Sequence, residues 1–218
     1  YNVFGTVTGR LTGRKNSFPI LTLDKDFRSI IKPTHNWLVE LDFNAAEART
    51  LIALAGSEMP LEDIHQWNAG KVWGGRINRT EAKQKFFSWL YDEQKHNPDL
   101  EKIYNRDLVK QKYWSSGQVE TVFGRKIEAD DRRALNYIIQ STTADLVLRQ
   151  LIKIHKYLEN KESFVAFTIH DNIVLDIPEE ERYIIPELID IFSSTDLGTF
   201  KVNVRAGKDY GSMKDLNL

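Results

Sequence analysis

Two short apolar stretches, residues 164–169 and 173–177, stand on either side of the polar triplet His170-Asp171-Asn172. Runs of this length, rich in Phe, Val and Ile and broken by so few polar residues, predict an antiparallel hairpin with a charged tip. That hairpin commits the chain to an antiparallel sheet. A second strand fits residues 37–43, where apolar and polar side chains partly alternate, and a last one fits residues 201–205. The segments between them read as helices of unequal length. Residues 45–55 are rich in helix formers, with Asn44 as the expected N-cap, Glu47 at the reciprocal capping position and Gly56 as the stop. Residues 59–68 fit a short helix. Asn78 and Glu81 repeat the capping pattern ahead of a helix reaching about Gln94, and Pro98 is expected to break the run. A long helix is expected over residues 130–156, and another over 179–192. Residues 1–19 carry Gly, Thr and the cations Arg10, Arg14 and Lys15 without periodicity, and predict a loop or irregular hairpin. Strands interrupted by unequal helical insertions favour an α+β fold over regular βαβ alternation.

A chain of 218 residues can bury one sizeable core, or one domain with a smaller one inserted in it. Its 30 Lys plus Arg are balanced by 31 Asp plus Glu, so contact with a polyanion must rest on local basic clusters. Without cysteine there is no disulfide and no thiolate metal site, which fits a reducing compartment. No apolar run approaches the roughly 18 residues that a membrane helix needs. A cytoplasmic protein is the expectation. The first residue is Tyr1, which suggests a start inside a longer product.

Two aspartates carry the first chemical signal. Asp42 closes one apolar strand and Asp171 sits at the hairpin tip. If those strands are neighbours, the two carboxylates converge at one end of the sheet, where a pair of hard divalent cations would offset their repulsion. Taken singly, each reads first as a turn or cap residue. The second signal is a stripe. Arg79, Lys83, Phe87 and Tyr91 recur every fourth residue on the helix after Asn78. Two cations followed by two aromatics suit a nucleoside triphosphate, although an ordinary amphipathic helix with a solvated basic turn and a buried aromatic turn fits too.

Together these segments resemble, in chain order, the motifs of family A DNA polymerases. Asp42-Phe43-Asn44-Ala45-Ala46-Glu47-Ala48-Arg49 is similar to motif A, Arg79-x3-Lys83-x3-Phe87-x3-Tyr91 to motif B, and His170-Asp171-Asn172 to motif C. Lesser matches are Thr8-Gly9-Arg10, Gly124-Arg125, and Arg132-x3-Asn136-x3-Gln140 followed by Thr143-Ala144-Asp145. The resemblance implies an antiparallel-sheet palm over residues 1–57 and 141–218, with a reduced, mostly helical fingers subdomain inserted at 58–140. It implies two magnesium ions, or manganese, held by Asp42, Asp171 and the Phe43 carbonyl. Arg79 and Lys83 would bind the triphosphate of a dNTP, with Lys83 protonating the leaving pyrophosphate. Phe87 would pack on the sugar, and Glu47 would pair with Tyr91 and exclude a ribose 2′-hydroxyl. Arg10, Arg132, Asn136, Gln140 and His170 would line the primer–template DNA. The thumb and any exonuclease lie upstream of this region in relatives, so a thumb would come from a preceding segment or a separate chain.

The sequence departs from the family pattern at three places. Asp92 follows Tyr91 where Gly is usual, Asn172 replaces the usual Glu of motif C, and the interval from Tyr91 to Gln140 is short. The rival readings are a single-subunit RNA polymerase, a non-catalytic DNA-binding subunit and a generic two-metal nuclease. Glu47 and Phe87 argue against the first, the joint presence of Asp42, Arg79, Lys83 and Asp171 against the second, and the stripe against the third.

Overall fold

The computed structural model describes residues 1–216. After a 3-10 turn at Lys25–Ile30, the chain runs through β1 (Trp37–Phe43), α1 (Ala46–Ala55), α2 (Ile64–Lys71), α3 (Arg79–Tyr91), α4 (Pro98–Tyr104) and α5 (Arg106–Tyr113). Three short strands follow, β2 (Trp114–Ser115), β3 (Gln118–Glu120) and β4 (Lys126–Glu128), and then the long helix α6 (Asp131–Tyr157). The remainder comprises β5 (Phe164–Ile169), β6 (Asn172–Ile177), a 3-10 turn at Glu179–Ile184, α7 (Ile185–Ser193), β7 (Ser194–Thr195), β8 (Gly198–Thr199), β9 (Val202–Gly207) and β10 (Lys214–Asp215). The fold is α+β, with two compact units: among the described residues, 1–43, 144–196 and 202–216 form the first, and residues 44–143 and 197–201 the second.

The first unit is built on a five-stranded sheet in the order β10-β9-β1-β6-β5, antiparallel throughout. β1 lies at its centre because it can be buried on both faces: Leu38, Val39, Leu41 and Phe43 are all at most 1% exposed. On α7 the residues Ile185, Leu188 and Phe192 recur with helical spacing and are buried. Phe192 stacks on Phe43 with ring centroids 4.1 Å apart, which fixes the helix against the end of β1. Gln150 of α6 donates from Nε2 to the Ile191, Phe192 and Ser194 carbonyls at 2.6, 3.1 and 3.0 Å, satisfying orphan acceptors at the end of α7.

The second unit packs α1 to α5 and the small β2-β3-β4 sheet around a core containing Leu51, Ile52, Phe86, Trp89, Leu100 and Tyr104. Its helix starts follow capping chemistry. Asp63, Asn78, Asn97 and Asn105 each accept a backbone N–H in the first turn of the following helix. Pro98 therefore opens α4 instead of ending the preceding run, because the first helical position has no N–H to lose.

Other boundaries also differ from the sequence expectation. α1 begins after Ala45, which takes a left-handed φ of 52° and offers no side-chain cap. Asn44 does not cap it, because its side chain is drawn to Asp63, Ile64 and Arg49. The helix expected over 59–68 starts instead at Ile64, where Asp63 supplies the cap. α3 stops at Tyr91, short of Gln94. Strands β2 to β4, only two or three residues each, were too short to show a period.

Candidate active site

In the first unit, sheet register decides what the two aspartates do. β1 and β6 pair antiparallel with Asp42 opposite Asn172, the residue after Asp171, and the Phe43 N–H donates to the Asp171 carbonyl at 3.4 Å. The turn between β5 and β6 is only His170 and Asp171, with His170 in the left-handed region at φ 53°. Histidine is among the few non-glycine residues enriched there. Both carboxylates therefore stand at the same end of the sheet. Burial raises the Asp42 carboxyl to about 7, and the charge of Asp171 pushes in the same direction. An amide from Asn203, donated to Asp42 Oδ2 at 3.3 Å, opposes the shift. Two half-buried acids that disfavour each other's charge are a donor set that a hard cation would satisfy. Among the described residues no group of three or more His, Cys, Asp or Glu side chains is placed to hold a metal.

Asn172 is not idle. Its Oδ1 accepts the Ile169 N–H at 3.2 Å and its Nδ2 donates to Glu40 Oε2 at 3.3 Å. Glu40, 5% exposed, also receives Arg205 Nη1 at 3.3 Å. Sequence reasoning passed over Glu40, although its place two residues before Asp42 in a strand puts both on one face. Arg10 and His170 also belong together, lining one small cavity with Gly9, Thr168 and the α6 residues Ala144, Val147 and Leu148.

In the second unit, α3 turns Ala82, Phe86, Trp89 and Leu90 into the core and leaves the predicted stripe on the other side. Arg79 and Lys83 are exposed, Phe87 is half-buried and Tyr91 is 47% exposed. Phe87 packs against the edge of the core, and Tyr91 stays outside it. Phe87 and Tyr91 lie nearly parallel, 9° apart with centroids 5.9 Å apart, and the Tyr91 hydroxyl donates to Glu47 Oε2. Glu47 is drawn to Tyr91 instead of back to the helix start. Arg132, Asn136 and Gln140 follow one another at fourth positions along α6, and the buried Oδ1 of Asn136 has no hydrogen-bond partner among the described residues.

Two further residues join the stripe. Asp63 accepts a bidentate pair from Arg79, and His65 stands against both Phe86 and Phe87 at centroid distances of 5.9 and 5.8 Å. Neither was singled out in the sequence; the Asp63-Ile64 junction is a readable cap, but His65 gives no periodic signal. His65 is 2% exposed, and burial pushes its imidazole down to about 4, with Lys83, Arg79 and Arg49 adding to the shift against Asp63. Because the folded value lies below the ordinary 6.5, this imidazole binds more proton in the unfolded chain between pH 4 and 6.5, and the contribution of His65 to stability falls as pH falls through that window. The loss expected is about 3 kcal/mol. Urea unfolding of wild type and His65→Leu at pH 7 and 4.5 checks it: the variant should lose most of that difference, and an equal loss in both proteins would contradict the assignment.

A family model described as DNA polymerase family A matches residues 99–212, more than half of the chain. The chain belongs to DNA polymerase family A. This family A chain is 27% identical to the thermostable DNA polymerase I of Thermus aquaticus over 239 aligned residues, covering 86% of the chain and 29% of that protein. It is 25% identical to DNA polymerase I of Chloroflexus aurantiacus, over 100% of the chain and 29% of the relative. The DNA polymerase of Mycobacterium phage L5 is 27% identical over 71% of the chain and 30% of the phage protein. The chain thus spans less than a third of the length of these relatives. The Thermus alignment is longer than the chain itself, so that relative carries residues absent here. A solved structure, the POL domain of Pol1 from M. smegmatis in complex with DNA primer-template and dNTP, shares the fold. Its TM-score is 0.77 at 16% identity, over 95% of this chain and 47% of that one. Among the described residues no helix is long and apolar enough to cross a membrane.

Proposed function

We propose that this family A chain is the nucleotide-adding core of a DNA-directed DNA polymerase, extending a primer 3′ end on a DNA template. The observation that carries the reading is the β1–β6 register, which sets Asp42 opposite the residue next to Asp171 at one end of a buried sheet. In the reaction the primer 3′-oxygen attacks the α-phosphorus of a dNTP; the new O–P bond forms as the bond to pyrophosphate breaks. Such a transfer needs positioning and charge neutralisation more than covalent help, which suits a site without a Ser or Cys nucleophile. Asp42, Asp171 and the Phe43 carbonyl would hold two magnesium ions, or manganese, whose positive charge would favour the 3′-alkoxide and offset the charge of the leaving group. Arg79 and Lys83 bind the triphosphate, and Lys83 returns a proton to the departing pyrophosphate. Phe87 packs on the deoxyribose, with Tyr91 and Glu47 behind it. Arg10, Arg132, Asn136, Gln140 and His170 contact the primer–template, where minor-groove acceptors shared by all base pairs let binding be independent of sequence.

The residue regions 1–57 and 141–218 would serve as palm and 58–140 as fingers. Primer extension in magnesium, with dNTPs and NTPs in parallel and a primer–template duplex of known sequence, tests the reading. Templated dNTP addition with NTPs refused supports it. NTP addition at an equal rate would make the chain an RNA polymerase relative, and duplex binding without any extension would make it a non-catalytic subunit.

A further inference from the structure

Arg79 is gripped along one edge of its guanidinium. Its Nε donates to Asp63 Oδ1 at 3.0 Å and its Nη2 to Asp63 Oδ2 at 2.8 Å, the fork geometry in which arginine and carboxylate match best. Asp63 is itself fixed. Its Oδ1 accepts the backbone N–H groups of His65 and Gln66 at 3.0 and 2.9 Å, and its Oδ2 accepts Asn44 Nδ2 at 2.8 Å. The Asn44 Oδ1 in turn accepts the Ile64 N–H at 3.1 Å and Arg49 Nη2 at 3.2 Å. Arg49 is 0% exposed and ties the surrounding backbone together, donating to the carbonyls of Asn44, Pro60 and Glu62 at 2.7, 2.6 and 2.6 Å. A buried cation thus anchors the segment that carries Asp63, and Asp63 holds Arg79 at the mouth of α3.

A guanidinium has five N–H donors, and this pair uses two of them. The Arg79 side chain remains 49% exposed, so three donors are left for an anion. We propose that Asp63 is a positioning residue for nucleotide binding, holding one edge of Arg79 so that the other edge meets the triphosphate, with Arg49 and Asn44 as its fixed mount. The proposal rests on Arg79 being a triphosphate ligand, as in the function proposed above. Two effects of Asp63 oppose each other. Its charge repels phosphate, but at a partly exposed site that repulsion is screened. Holding Arg79 means that its side-chain entropy is lost on folding and not on binding, and this preorganisation is the larger effect.

The experiment is equilibrium binding of a dNTP to the full-length protein on a primer–template whose primer ends in a 3′-dideoxynucleotide, so that no turnover is needed. Four proteins are compared: wild type, Arg79→Ala, Asp63→Asn and the double variant. Asparagine caps a helix about as well as aspartate, so α2 should survive the change. If thermal melting shows that Asp63→Asn does not fold, Asp63→Ser, which also caps, replaces it in the same comparison. Arg79→Ala should weaken binding by about tenfold or more, as expected for a charge-assisted pair. Asp63→Asn should weaken it by roughly three- to tenfold, and the double variant should bind no worse than Arg79→Ala alone. In steady state Asp63→Asn should raise KM with kcat within about twofold, and Asp63→Glu should recover part of the loss. If Arg79→Ala binds the dNTP normally, Arg79 is not a triphosphate ligand and both readings of it fall. If Arg79→Ala is impaired while Asp63→Asn binds normally or more tightly, or adds its full effect to Arg79→Ala, only the positioning role is overturned.

Discussion

Asp42→Asn and Asp171→Asn are each expected to slow primer extension by at least about a thousandfold, the scale on which removing an electrostatic partner of the reacting centre is felt. Primer–template affinity should stay within about twofold, because neither side chain is proposed to contact the duplex. Asparagine keeps the shape of aspartate, so the sheet register between β1 and β6 has no steric reason to change. What it removes is charge. Asp42 is held unfavourably as a carboxylate, by burial first and by Asp171 second, and Arg205 and Asn203 relieve this only in part. A fold that keeps two such groups side by side pays in stability, and cation binding gives the arrangement a use. Loss of either acid without loss of extension would remove the metal-binding reading. A gain in melting temperature should accompany the loss of activity, since neutralising either member relieves the repulsion.

The second large effect is expected in sugar selection. Glu47→Ala should lower the preference for dNTPs over NTPs, taken as the ratio of kcat/KM values, by about a hundredfold, mostly through better use of NTPs. Glu47 lies in the first turn of α1 and accepts the Tyr91 hydroxyl, so its carboxylate is held in one place by the last residue of α3. Rejection of one hydroxyl needs such a fixed group, because a mobile side chain would move aside. Tyr91→Phe, which releases Glu47 without removing it, should shift the ratio in the same direction by less. An unchanged ratio in Glu47→Ala would assign the pair a purely structural role.

How much of this was legible beforehand follows from where the physics is local. The hairpin around Asp171 and the strand carrying Asp42 were readable because a buried antiparallel sheet writes itself as short apolar runs. The α3 stripe was readable because it begins at a clear cap, Asn78, and its spacing of four residues stays on one side of the helix. The second cap, at Asp63, was obscured by Met59 and Leu61, which resemble a helix start until the Arg49 contacts to the Pro60 and Glu62 carbonyls are known. Asn44 misled for a related reason. It is a good capping residue by type, but the buried Arg49 and the Ile64 N–H compete for its side chain and win. Those contacts join residues up to 20 positions apart, and no local pattern reports them. His65 and Glu40 were likewise hidden, one in a segment without periodicity and one in a strand where an acid was not expected to be buried.

The claim on which the rest depends is that Asp42 and Asp171 together hold divalent cation. Manganese titration followed by electron paramagnetic resonance, on the full-length protein with a dideoxy-terminated primer–template and a dNTP, measures this without turnover. Wild type should bind manganese in the micromolar range, and Asp171→Asn should weaken it by about a hundredfold or more. Equal manganese affinity in the two proteins would contradict the account.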